Sequence, residues 1–170
     1  LLKIISDELD INLEIPHIAY VEVKRPDSKA ILFTNVVDRK NSKKFKEPVL
    51  MNVFCNEDAV KLFIGDGDKI GSEIESLLKL KPPVTFSEKL STLGKLFSLK
   101  NTIPKKIKGK GVCQEVIKLG ADAKLSDLPV IKTWEDDAGA FITMGQVYTQ
   151  SLNGELKNLG MYRLQVFPDN

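Results

Sequence analysis

The apolar positions fall into short runs and helical spacings that predict a succession of small elements. Leu2 to Ile5 reads as a short strand. After Asp10, Glu14 to Val23 reads as a helix. Pro16 is tolerated there, because its missing N–H falls in the first turn, where that group has no partner within the helix. Ala30-Ile31-Leu32-Phe33 and Pro48 to Cys55 are apolar runs of the length of buried strands. Asn56 then has the chemistry of a helix N-cap, with Glu57 and Asp58 at the positive end of the helix dipole and Gly65 as the stop. Ile70, Ile74, Leu77 and Leu78 repeat at amphipathic spacing and end before Pro82-Pro83. Leu90, Leu93 and Phe97 repeat that spacing after Ser87.

Near residue 100 the pattern changes. Lys89 to Lys110 holds seven lysines and no acid, and Lys100 to Lys110 reads as a linker or long loop. Beyond it, Val112 to Leu119, Val130-Ile131, Phe141 to Tyr148 and Met161 to Phe167 are short β-rich runs separated by turn residues. Asn153-Gly154 marks a hairpin. The expected class is α/β: a small N-terminal α/β module over residues 1–105, then the first strands of a barrel over 106–170. An open barrel edge exposes unpaired backbone groups. The remaining strands are therefore expected from further chain, and the absence of Met at position 1 points to a start upstream.

Composition narrows the function classes. With 42% hydrophobic and 28% charged residues, the chain is ordinary for a globular protein. No apolar run approaches the ~18 residues of a spanning helix, and the first residues are charged too early for a signal peptide. A net charge of +2 gives no reason to expect a nucleic-acid partner. The lysine-rich loop lacks the interleaved aromatics on which bases stack, and reads as a solvated segment. Cys55 and Cys113 form no CxxC pattern, and Cys55, within an apolar run, reads as a buried thiol in a reducing cytosol.

Candidate chemistry is sparse. Gly65-Asp66-Gly67-Asp68 lacks the ligand spacing of a calcium loop and reads as a turn between helices. His17, the only histidine, excludes a multi-histidine metal site within this chain and reads as structural or surface. Asp136-Asp137 could serve acid–base chemistry, but neighbours on a tight turn point apart, and a turn before Ala140 is favoured. The stretch Asn158 to Arg163 differs. Only Arg25, Arg39 and Arg163 are arginine among 25 basic residues. On a strand, Met161, Arg163 and Gln165 share one face, and Leu164 and Val166 face the core on the other. An interior Arg requires a carboxylate partner, from protein or ligand. Asn158 offers a carbonyl oxygen suited to Mn²⁺ or Mg²⁺. On periodicity alone, an ordinary strand carrying a structural ion pair stands beside the functional reading.

The stretch NLGMYRLQV resembles the UbiD family of prenylated-flavin-dependent decarboxylases. Leu13-Glu14-Ile15, Ala30 to Val36, Pro48 to Phe54, Leu128-Pro129-Val130 and Asp137 to Thr143 resemble other family segments in the same order, with Ala138 where the family often has Gly. The resemblance implies a flavin-binding split β-barrel after the N-terminal module. It implies reversible decarboxylation of an aromatic acid with prenylated FMN and Mn²⁺, with K⁺ as a further candidate ion. Asn158 would be a metal ligand, Met161, Tyr162 and Arg163 cofactor contacts, and Arg163 also a catalytic residue in an ionic network beside the substrate carboxylate. The family's other ligands, a His and a Glu, and its acidic proton donor lie downstream, so residues 1–170 alone are expected to be inactive. The resemblance further implies a polyprenyl-hydroxybenzoate or hydroxynaphthoate substrate in ubiquinone or menaquinone synthesis. It also implies a flavin prenyltransferase as cofactor supplier and a homo-oligomer in the cytoplasm, touching membranes only through a prenylated substrate. The rival from another class is a non-enzymatic flavin- or phosphate-binding split-barrel module that uses Asn158 and Arg163.

Overall fold

The computed structural model describes residues 1–79, 85, 93–94, 97 and 105–168. The chain is of mixed α/β class and divides into two compact units, Leu1–Gly65 with Ala123–Asn170, and Asp66–Asp122. No helix among the described residues is long and apolar enough to cross a membrane.

The first unit begins with a βαβ arrangement. Strand β1 (Leu2–Asp10) pairs in parallel with β2 (Ala30–Asp38), and helix α1 (Glu14–Val23) makes the crossover. The predicted strand at Leu2 to Ile5 therefore runs on to Asp10, across a bulge after Ile5. Thr34 Oγ1 donates to the Ile5 carbonyl (3.3 Å) and the Asn35 amide to that of Ser6 (3.4 Å), so side chains replace ladder bonds lost at the irregularity. The other edge of β2 is shared by two short antiparallel strands, β3 (Lys43–Lys44) and β4 (Val49–Met51). The predicted strand from Pro48 to Cys55 is thus cut short. At Asn52 the backbone turns into the left-handed region (φ 58°), which Asn tolerates, and its amide donates to the Ala19 carbonyl of α1 (2.7 Å).

Helix α1 has the predicted bounds. Ile15 and Ala19 of α1 are buried, and Ile31, Phe33 and Val36 of β2 are fully buried. They meet Ile11, Phe45 and Ile131 in one core. Burying side chains of this size contributes about 1.5–3 kcal/mol each. Glu22 is also buried, paired with Lys3 (3.5 Å) and Arg25 (3.4 Å) at the sheet's margin. Helix α2 (Glu57–Ile64) starts as the sequence predicts: Asn56 Oδ1 accepts from the Ala59 N–H (2.9 Å), and Gly65 closes the helix at φ 94°. The Asn56 amide also donates to Ser28 O (2.7 Å). Cys55 is half-buried rather than buried, with its Sγ 3.4 Å from the same carbonyl.

Backbone bonds at one residue join the later part of this unit to the sheet's end. The Lys132 N–H donates to the Ile11 carbonyl (3.1 Å), and the Leu13 N–H donates to the Lys132 carbonyl (3.2 Å). Val130-Ile131 is accordingly not a strand but the lead-in to an isolated bridge between Asn12 and Lys132. Strands β5 (Ala140–Gln150) and β6 (Lys157–Val166) then form an antiparallel two-stranded ribbon joined by the predicted Asn153-Gly154 turn.

In the second unit, helix α3 (Gly67–Leu78) is capped by Asp66, whose carboxylate accepts from the N–H groups of Asp68 (3.1 Å) and Lys69 (3.2 Å). Gly65 to Asp68 is thus a turn between helices, as its spacing predicts. Val112 to Leu119 is not a β run. Val112–Gln114 forms a single 3₁₀ turn, Gly120–Asp122 another, and the apolar residues between them are exposed. Val112, Val116, Ile117 and Leu119 lack the period of two, and among the described residues no strand lies beside them to pair with. Leu90 of the third predicted helix, Ser87, Pro82-Pro83 and the loop from Lys100 to Pro104 lie outside the described residues. Lys105 to Lys110 carry no helix or strand and are exposed.

Candidate functional site

The ribbon carries the residues singled out in the sequence. Tyr162 lies opposite Gly145, Met161 opposite Gln146, and Asn158 opposite Thr149. A register shift between Ile142 and Gly145 includes Met144, whose backbone is left-handed (φ 57°). Because side chains alternate along β6, the candidates divide between its two faces. Met161 and Arg163 occupy one face, Asn158 and Tyr162 the other. The ribbon therefore does not bring all four together on one surface. Leu164 is exposed, so the face expected to meet the core is only partly covered.

Arg163 is the organised member. Its Nη1 donates to Asp137 Oδ1 (2.9 Å) and its Nη2 to Asp137 Oδ2 (2.5 Å), a two-pronged pair of the kind a planar guanidinium favours. Its Cζ lies 3.9 Å from the centre of the Phe141 ring. Phe141 pairs with Gln165, which shares the Arg163 face, so this is a diagonal cross-strand contact. Arg163 is exposed rather than interior as expected, and its carboxylate partner is supplied by the protein. Hydrogen bonds from Arg163 hold the Asp137 carboxyl below its ordinary value. The Trp134 N–H and the charges of Arg163 and Lys132 act in the same direction, against partial burial. The same pair raises Arg163 above its ordinary value.

In the sequence Asp137 reads as a turn residue in preference to an acid–base group, at the start of a segment that resembles the family. The turn is there, closed by the Asp137 N–H donating to the Trp134 carbonyl (3.2 Å) and by the Trp134 N–H donating to Asp137 Oδ2 (3.2 Å). What the sequence does not reveal is that this carboxylate meets a cation 26 residues later. The available signal was the pairing of a lone Arg in the second half with the acid before β5.

Tyr162 and Asn158 have looser settings. The Tyr162 ring folds back over Gly160: a Cβ built there would lie 2.4 Å from a ring carbon and 3.0 Å from the hydroxyl. Glycine thus clears the space that the phenol ring occupies. Asn158 itself is exposed and offers one amide oxygen. Among the described residues no group of three His, Cys, Asp or Glu could hold a metal ion. The donor set for a divalent cation is therefore incomplete in the described residues. His17 is exposed on α1 and lines a separate cavity of about 680 Å³ with Tyr20, Trp134, Glu135 and Asp136.

Comparison with known proteins covers most of the chain. The model of the 3-octaprenyl-4-hydroxybenzoate carboxy-lyase N-terminal domain matches residues 1–78. That of the Rift-related domain of the same family matches residues 105–170. An uncharacterized protein of Helicobacter pylori strain 26695 is 44% identical over 174 residues, which is 99% of this chain and 28% of that protein. One from Aquifex aeolicus is 37% identical over 161 residues, covering 86% of this chain and 33% of its own length. The chain thus spans about a third or less of these relatives. Among solved structures, the open form of vanillic acid decarboxylase from Sedimentibacter hydroxybenzoicus matches 98% of this chain and 33% of its own. The TM-score is 0.63 at 18% identity, a likeness of fold. A second structure of that enzyme gives 0.59 at 19% identity over 98% of this chain and 32% of its own. With both domain models of one family matching in order along its length, the chain belongs to the UbiD family.

Proposed function

We propose that the full-length protein reversibly removes CO₂ from an aromatic carboxylic acid, using prenylated FMN and a divalent metal, and that β6 forms one wall of that site. Family membership and a fold shared with a vanillic acid decarboxylase support the reading at the level of aromatic acid decarboxylation. The observation that carries it into this chain is Arg163, a permanently charged fork held in a defined plane within the N-L-G-M-Y-R stretch. The proposed substrate is a polyprenyl-hydroxybenzoate or hydroxynaphthoate of quinone synthesis. A flavin prenyltransferase would supply the cofactor, and the assembly would be a cytoplasmic homo-oligomer that touches membranes through its substrate. In this reading the boundary near residue 105 separates the N-terminal module from the flavin-binding split barrel.

Loss of CO₂ leaves an electron pair on an sp² carbon, which no amino-acid side chain delocalises; prenylated FMN, when bound, supplies that electron sink. The chain's own residues bind and orient. Arg163 offers charged donors to a carboxylate or phosphate, a task a Lys point charge does not reproduce. Tyr162 offers a phenol hydroxyl, and Met161 an adaptable apolar surface. Asn158 would give one oxygen to the cation, the other ligands coming from residues outside 1–170.

The test uses the full-length protein co-expressed with a flavin prenyltransferase, as wild type and Asn158→Ala. The absorption spectrum and the mass of the released cofactor are measured. A prenylated flavin in the wild type, lost or reduced in the variant, is the expected result. A folded wild type that carries no flavin overturns the reading and leaves only a shared fold.

A further inference from the structure

The Arg163 guanidinium has two edges that can each grip an anion with two hydrogen bonds. One is the end formed by the two Nη atoms. The other is the side formed by Nε and its neighbouring Nη. Asp137 takes the end edge through contacts of 2.9 and 2.5 Å. The side chain of Arg163 remains 41% exposed while that of Asp137 is only 12% exposed. The carboxylate is thus the enclosed, fixed partner and the guanidinium the one that reaches outward. The Phe141 ring beneath it fixes the plane.

Asp137 is itself held from behind. Its Oδ2 accepts the Trp134 N–H, and the Trp134 ring meets Tyr20 of α1 edge to face, with centroids 5.6 Å apart at 78°. Lys132, just before this loop, is bridged to Ile11 and Leu13 at the entry of α1. The first βαβ unit therefore fixes where the Asp137 carboxylate stands.

We propose that Asp137 is the positioning residue for Arg163. It occupies the end edge and aims the side edge, Nε–H with one Nη–H, at the phosphate of the bound flavin. The inference rests on the reading of Arg163 given under Proposed function. Without Asp137, a long side chain on an exposed ribbon would exchange among rotamers, and binding would carry the entropic cost of fixing it. An ion pair that merely stabilised the ribbon would not act through Arg163, and that difference is measurable.

The experiment is a double-mutant cycle in the full-length protein, with FMN as probe and its dissociation constant read from quenching of flavin fluorescence. The proteins are wild type, Asp137→Asn, Arg163→Lys, the double variant and Asp137→Glu, each checked by melting temperature. The expected result is that Asp137→Asn weakens FMN binding by roughly tenfold in the wild-type background and adds nothing to Arg163→Lys, the non-additivity of residues acting as one unit. Asp137→Glu, which keeps the carboxylate, should fall between wild type and Asn. Additive losses overturn the proposal, because Asp137 then acts independently of Arg163. A loss for Arg163→Lys with none for Asp137→Asn also overturns it while leaving the reading of Arg163 intact. If neither variant changes FMN binding, the reading of Arg163 as a flavin contact fails and the inference falls with it.

Discussion

Asn12 and Lys132, separated by most of the chain, form an isolated parallel bridge that joins the N-terminal sheet to the segment leading into the ribbon. The bridge is made by backbone groups, while the neighbouring Ile131 side chain is inserted in the core at 6% exposure. The two positions should therefore respond differently to truncation. Ile131→Ala should destabilise the protein by about 2–5 kcal/mol through lost burial and a residual cavity. Lys132→Ala, which keeps both backbone bonds, should stay within about 0.5 kcal/mol of wild type. Urea unfolding of the full-length protein checks both, and equal effects would contradict the placement of Ile131.

Asn56 has two duties that substitution can separate. Its oxygen caps α2, and its amide ties the cap to Ser28 O. Asn56→Ala loses both, at about 1–2 kcal/mol. Asn56→Asp keeps the acceptor and places a negative charge at the helix N-terminus, but loses the donor to Ser28. Its cost should lie between wild type and Ala in thermal unfolding. An Asp variant as unstable as Ala would mean that the tie to Ser28 outweighs the cap.

Elements whose signal is local were legible in the sequence. Glu14 to Val23 appears with its predicted bounds, and Asn56, Gly65 and Asn153-Gly154 act as their chemistry dictates. Elements that depend on a distant partner were not. Val112 to Leu119 is apolar enough for a strand but has none beside it among the described residues. Val130-Ile131 finds only one bridging position. β1 extends past Ile5 into a polar stretch because β2 is there to pair with it. The candidate site divides the same way. The N-L-G-M-Y-R stretch and the alternation that separates Arg163 from Asn158 can be read along one strand. The Asp137 partner is not visible along one strand, because a contact across 26 residues leaves no periodicity.

Two carboxylates should shape the response to acid. Glu14 is held below its ordinary value first by the Asp10 N–H and then by Arg39, against partial desolvation and the neighbouring charge of Asp10. Asp137 is held down by Arg163. A depressed carboxyl binds its proton more readily in the unfolded chain, where its pKa is about 3.9–4.3. It therefore contributes stability above about pH 4, and loses it as pH falls through the lower folded values. Glu14→Gln and Asp137→Asn should lower the melting temperature near pH 7 and converge on wild type at the acid end. Melting curves from pH 7 to 2.5 check this. A constant offset at every pH would mean that the charge of these groups is not what stabilises the fold.

Gly160 and Gly145 test what the ribbon needs from its glycines. The nearest atoms to a Cβ at Gly160 belong to the Tyr162 side chain, the first at 2.4 Å, and a ring can swing away. At Gly145 the Cβ would meet the Leu164 side chain at 2.9 Å and the backbone carbonyl of Tyr162 at 3.1 Å, and backbone yields less readily. Gly145→Ala should therefore cost stability, about 1–3 kcal/mol by overpacking. Gly160→Ala should leave the melting temperature nearly unchanged but displace the Tyr162 ring from over residue 160. If Tyr162 contacts the flavin as proposed, Gly160→Ala should lower cofactor content several-fold in the full-length protein expressed with a flavin prenyltransferase. Undiminished flavin in Gly160→Ala would remove Tyr162 from the binding surface, because that substitution displaces the ring first.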